Sequence, residues 1–170
     1  MEEIKKNIAL LSYYVNTFSS KYSDKQIGKT YLQKIMFISK KNKIINSNYS
    51  LYNYGPFSIE IANDIEMANT SGFIDITWIG DNGYDIKSKN PPTFEKYLSR
   101  EDIEKANNII EKYHQYNAVQ ISIIATALMI KDSYSTYNDL VKAVNEIKPM
   151  YSIEFISALL NSAGISPGIS

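Results

Sequence analysis

The chain holds one histidine, His114, and no cysteine. A metal site gathers several His, Cys or carboxylate ligands at one point. A lone imidazole in the polar run Tyr113-His114-Gln115-Tyr116 gathers no such set. Without cysteine there are no disulfides, thiolate metal sites or thiol nucleophiles. Gly28-Lys29-Thr30 matches the end of a phosphate-binding P-loop, but the glycine needed five positions earlier is replaced by Ser23. No G-x-S-x-G elbow presents a serine nucleophile. Glu60, Asp64 and Glu66 lie close in sequence, at the spacing of a solvated helix face, with no neighbour that would raise a carboxyl pKa. The residues therefore point to a non-enzymatic protein with no catalytic residue, cofactor or metal.

Binding is the remaining chemistry, and charge is the first guide to it. Lys and Arg balance Asp and Glu over the 170 residues, so no global field draws in nucleic acid or an anionic membrane. The balance is uneven along the chain. Residues 21–43 carry seven Lys against Asp24, a local +6, and residues 44–86 carry six acids and no base, a local −6. Charge runs are usually solvated faces that can neutralise one another. The sharper reading is that the two segments meet different partners.

The elements that place these residues follow from periodicity and caps. Ile4, Ile8, Leu11 and Val15 make one helical stripe over 2–20, with Leu10, Tyr14 and Phe18 beside it. Gly28 precedes a second helix over 29–43, with Leu32, Ile35 and Met36 on its inner face. Residues 49–54 alternate as a short extended segment, and Gly55-Pro56 is a turn signal. Ser58 is an N-cap, Glu60 suits the first turn, and Gly72 fits a left-handed helix end. The β-prone run 73–79 can pair with 84–87 through the Asn82-Gly83 step, a short hairpin signal. Residues 88–93, with two prolines, form a linker. Ser99 and Asp102 resemble a capping box that opens a helix over 100–115. Residues 119–131 form a buried helix, 136–148 an amphipathic one, and Ser152 caps a last helix that closes at Gly164. Aromatic-Ser-Ile-Glu opens a capped helix at both 57 and 151, a short internal echo.

A capped helix followed by a hairpin suggests a winged helix. The expected fold is mainly α with a small β-hairpin: a winged-helix-like module over 1–90, then a helical module over 96–170 with a second helix-turn-helix-like unit, packed on the first. The charged, amphipathic start has no signal-peptide pattern. The apolar run 118–130 is shorter than the roughly 20 residues that span a bilayer. A cytoplasmic protein with no membrane partner is expected.

Two motifs carry a family resemblance. The run 29–38 holds Leu32-Gln33-Lys34 inside an apolar helix, and 51–58 holds Tyr54-Gly55-Pro56-Phe57-Ser58. Together they resemble the YwgA-like proteins of bacteria and archaea and, more distantly, the Panacea or SocA-like antitoxin domain. The resemblance implies a winged-helix-like fold. It also implies, for the Panacea relatives, neutralisation of toxins by direct protein contact, and it supplies no catalytic residue. The plain physical reading has Leu32, Ile35 and Met36 in the core, Gly55-Pro56 setting the angle of the next helix, and Gln33 satisfying a buried backbone group near that turn.

Two functions are in contention. The leading one is a DNA-binding transcription regulator. The helix over 58–71 carries acids that phosphates repel, so contact falls to Lys21, Lys25, Lys34 and Lys41. The alternative is a protein-interaction module, antitoxin-like or adaptor-like, using Glu60, Asp64, Glu66, Tyr54, Phe57 and Trp78 on a toxin or regulator. A homodimer would form through 2–20 or 152–165.

Overall fold

In the computed structural model, which describes residues 2–53 and 55–168, the chain is mainly helical with two small antiparallel sheets. The order is α1 (Glu2–Lys21), α2 (Lys29–Lys41), β1 (Ser50–Tyr52), β2 (Gly55–Phe57), α3 (Ile59–Thr70), β3 (Ile74–Trp78) and β4 (Tyr84–Ser88). Then come α4 (Arg100–Tyr113), α5 (Ala118–Ile130), α6 (Tyr137–Ile147) and α7 (Ile153–Ser162). β1 pairs with β2, and β3 with β4.

Cap chemistry sets most helix starts. The Ser58 hydroxyl accepts from Ile61 N–H, and Ser152 does the same for Phe155. Ser99 and Asp102 make both bonds of a capping box. Asn117 and Gln120 make a second box, which starts α5 at Ala118, one residue before the expected start at 119. α3 and α7 also end alike. Gly72 and Gly164 sit at φ 81° and 68°, and each following residue donates back into the helix, Phe73 to Ala68 and Ile165 to Leu160. The echo between the two segments thus extends to the closing turn, although among the described residues no hairpin follows α7.

Two turns differ from the sequence expectation. The β3–β4 connection is not a two-residue Asn-Gly turn. Trp78 pairs with Tyr84, and a short 3-10 turn at Gly80–Asn82 bridges them, closed by Ile79 N–H on Gly83 O. A type I′ turn needs positive φ at both central residues. Here the positive values fall on Gly80 and Gly83, and Asn82 does not share them. Gly55 and Pro56 are not a turn but the first residues of β2, with Pro56 opposite Leu51. Proline is tolerated there because a two-stranded sheet has only edge strands.

The core runs through both halves of the chain. Residues from α1, α2, α3, α4, α5, α6 and α7 join one apolar cluster. α5, apolar on all sides, packs against α2, β2, α6 and α7. α2 is more deeply set than its inner stripe implies: every residue from Tyr31 to Ser39 is buried, Phe37 included. Conversely Ile4, placed in the α1 stripe, is exposed. The chain just before α2 lies beside β4, where Ile86 N–H donates to Ile27 O at 2.8 Å. Among the described residues no helix is long and apolar enough to cross a membrane.

Gly55 is a tight point of this packing. Its φ is 101°, and a Cβ there would meet Thr126 Oγ1 at 2.7 Å and Ser122 O at 3.1 Å, both on α5. Gly55→Ala combines backbone strain with overpacking and should destabilise the fold by about 3 kcal/mol. Denaturant titration measures it. A midpoint equal to wild type would show that β2 does not need to approach α5 this closely.

Candidate functional site

The two sequence motifs meet in space. Gln33, on α2, holds Ser58 by both main-chain groups: its Nε2 donates to Ser58 O at 2.8 Å, and Ser58 N–H donates to its Oε1 at 3.1 Å. The buried backbone group expected near the turn is therefore Ser58, and Gln33 satisfies both of its polar atoms. The next residue, Lys34, sends its ammonium to Pro56 O at 3.0 Å. Its stem lies beside Gly55. Leu-Gln-Lys on α2 and Gly-Pro-Phe-Ser on β2 thus fix β2 and the start of α3 to one helix.

Beside this junction opens a groove of about 900 Å³. α2 contributes Gln33 and Lys34 to its lining, β1 contributes Leu51 and Tyr52, β2 contributes Phe57, and α3 contributes Ile65. Ile147, at the end of α6, closes another wall. The Tyr52 and Phe57 rings stack at 5.2 Å. Lys29 and Glu66, also in the lining, neutralise one another at 2.7 Å. Lys34 is 2% exposed. Burial first, and the charge of Lys148 second, pull its ammonium down to about 8. Burial also lowers Lys148, which is 4% exposed.

The four lysines proposed for phosphate contact do not act alike. Lys21 and Lys41 are exposed, at the ends of α1 and α2. Lys25 turns inward, donating to Tyr116 O at 2.6 Å with its ammonium 4.4 Å from the Tyr31 ring centre. Lys34 is on the groove floor, bound to a carbonyl, where burial keeps it from the surface contact envisaged for it.

The acidic and aromatic candidates also divide. Glu60 is exposed and Glu66 pairs with Lys29. Asp64 was placed with Glu60 on a solvated face, but it is 4% exposed. It turns toward α1, where Asn7 Nδ2 donates to it at 3.0 Å and also reaches Ser47 Oγ at 3.0 Å. Burial raises the Asp64 carboxyl above its usual range, the Asn7 bond opposes this, and the charges of Glu60 and Glu3 add to it. Trp78 is 64% exposed beside Tyr84, at the far end of the hairpin. Phe57 belongs to the groove, and Tyr54 lies outside the described residues. His114 stacks on Tyr22 at 4.2 Å. No metal-holding cluster occurs among the described residues. Sequence reasoning missed Leu51, Ile147 and Lys148; only the fold brings the α6 residues near β1 and α2.

Two substitutions test these contacts. Gln33→Ala leaves Ser58 N–H buried without its partner, and Ser58 C=O keeps only the bond from Ala62 N–H; the variant should destabilise by about 2 kcal/mol by thermal or denaturant unfolding. A loss within error of zero would mean that water replaces the side chain. Asp64→Asn keeps an acceptor for Asn7 and removes the charge. The folded carboxyl titrates above the unfolded one, so its ionised form weakens the fold at neutral pH. The variant should melt higher than wild type at pH 7. The gain should shrink as pH falls through the folded pKa and vanish once Asp64 is protonated in both states. A gain unchanged down to pH 3 would contradict the assigned burial.

The family described as Antitoxin SocA-like, Panacea domain, matches residues 31–128, from α2 into α5. No curated protein and no solved structure gives a significant match. The matched segment contains both halves of the Gln33–Ser58 junction and three walls of the groove, and it covers more than half of the chain, which belongs to the SocA-like, Panacea-domain antitoxin family.

Proposed function

We propose that the protein is a non-enzymatic, antitoxin-like interaction module that seizes a protein partner in the groove between α2, β1, β2 and α3. One observation carries the reading. The residues of the two motifs build a single open groove with apolar and aromatic walls, and Tyr52, on its rim, is 52% exposed. Exposed Tyr at the edge of a preformed pocket is the composition of an interaction hot spot. The family name adds to this, since antitoxins act on toxins.

The DNA-binding reading rests on α3 followed by the β3–β4 hairpin, the order of a winged helix, and on the lysine-rich 21–43 segment. It is the weaker of the two. α3 carries exposed Glu60 and Glu66 where a recognition helix would face phosphates, and the ammonium groups of Lys25 and Lys34 are directed to carbonyl oxygens.

The test is co-expression and co-purification of the full chain with the product of its neighbouring gene. A stable complex is expected, and Leu51→Ala with Tyr52→Ala should weaken it by about tenfold or more. Both side chains are exposed, so folding should be unaffected by circular dichroism. An affinity untouched by the pair would remove the groove from the reading. Salt-dependent binding to duplex DNA at micromolar protein, with no protein complex, would replace it by the DNA reading.

A further inference from the structure

We propose that the groove floor receives an acidic side chain from an extended peptide segment of the partner, seated against the Lys34 ammonium with the Lys148 charge behind it. This rests on the protein-partner reading above and names what that partner presents.

The first support is a charge imbalance. Buried ammonium groups are normally paired with a carboxylate or fully hydrogen-bonded. Lys131 shows the ordinary solution in this same chain: it is buried, and it reaches both Asp132 and Gly168 O. Lys34 and Lys148 are as deeply buried, yet among the described residues neither lies within 4.0 Å of a carboxylate. Among the described residues Lys34 makes one hydrogen bond, to Pro56 O, of the three its ammonium can donate. Lys148 Nζ makes none among the described residues. The two lysines repel one another closely enough to lower Lys34.

The second support is the groove itself. Its other charged lining residues, Lys29 and Glu66, cancel as an ion pair. The uncompensated charge of the lining is therefore the floor lysine, with Lys148 directly following the lining residue Ile147. At about 900 Å³ the groove would be left mostly empty by a lone inorganic anion. Leu51, Tyr52, Phe57 and Ile65 provide walls for apolar side chains on either side of a central acid. β1 is exposed along its length and sets Leu51 and Tyr52 in the groove lining, which suits an extended segment. Lys148 lies beyond the matched family segment, residues 31–128.

The experiment uses the full chain as bait for a display library of randomised peptides, held internally so that no free carboxyl terminus is presented. Enriched peptides should share one Asp or Glu between apolar residues. The best peptide, made acetylated and amidated, should bind at least tenfold more weakly after its acid is changed to Asn or Gln. Lys148→Met should weaken binding similarly while sparing the Lys34–Pro56 contact; Lys34→Met should do so more strongly. In wild type, the Lys34 side-chain resonance should titrate at higher pH when the peptide is bound. Several results would overturn the proposal: no enrichment, enriched peptides without a shared acid, equal binding by the amide peptide, or indifference to Lys148→Met. Binding of inorganic phosphate or acetate that shifts Lys34 without any peptide selection would assign the floor to small anions instead. The co-purified partner separates the two readings. If Leu51→Ala with Tyr52→Ala releases it and Lys148→Met does not, the groove stands and the acidic contact falls; if neither releases it, both fall.

Discussion

The side-chain amide of Gln33 against the main chain of Ser58 is the contact on which the rest of the architecture turns. Ser58 directly follows β2 and is the N-cap of α3. Both its N–H and its C=O point at one side chain, at 3.1 and 2.8 Å. Only an amide carries the donor and acceptor side by side that this geometry needs. A carboxylate would answer the N–H and face the carbonyl with like charge; an aliphatic side chain would answer neither. Lys34 then secures Pro56 two residues earlier. The angle between β2 and α3 is set from α2, and that angle defines the groove.

A junction built from polar groups has a consequence for its surroundings. β2 must lie close enough to α5 for Gly55 to touch Thr126 and Ser122, which carries Lys34 inward with it. The aliphatic stem of a lysine tolerates this readily, but the ammonium does not. At Lys131 the fold resolves the difficulty with Asp132 and a tail carbonyl. At Lys34 and Lys148 it leaves the charge next to an open groove. Asp64 is a milder case, with one amide from Asn7 set against burial and two acidic neighbours. Charge held this way raises the energy of the unliganded fold, and an arriving group of opposite sign removes that cost at the moment of binding.

Local rules were legible in the sequence and long-range ones were not. Ser58, Ser99 and Ser152 cap the helices their spacing announced, and Gly72 and Gly164 end them. These features depend on residues within four positions of one another. The role of Gln33 was legible too, because an amide inside an apolar helix next to a Gly-Pro step needs a main-chain partner. Gly55-Pro56 misled as a turn because both residues pair with β1 and pack on α5, which lies far along the chain. Asp64 and Lys34 misled for a related reason. Formal charge along a sequence says nothing of direction, and helical spacing alone placed Asp64 beside Glu60 when α1 was waiting to cover it. Lys148 gave no sequence signal, since its neighbour across the fold is Lys34.

The basic and acidic runs can neutralise each other as solvated faces, and the structure gives that idea a narrow form. Among the described residues a single ion pair, Lys29–Glu66, joins the 21–43 segment to the 44–86 segment. Asn48 rather than a lysine approaches Glu60. On α3, Glu66 is paired and Asp64 is buried, which leaves Glu60 without a cation at the surface while the adjoining groove keeps a positive floor. Opposite signs this close select for orientation more than for strength. A segment entering with its acid toward Lys34 must carry neutral or basic residues where it passes Glu60, whereas a uniformly acidic strand, such as a nucleic-acid backbone, meets repulsion before it reaches the lysine. The charge pattern that argues against an ordinary DNA reader is thus the pattern that would let this groove discriminate among peptides.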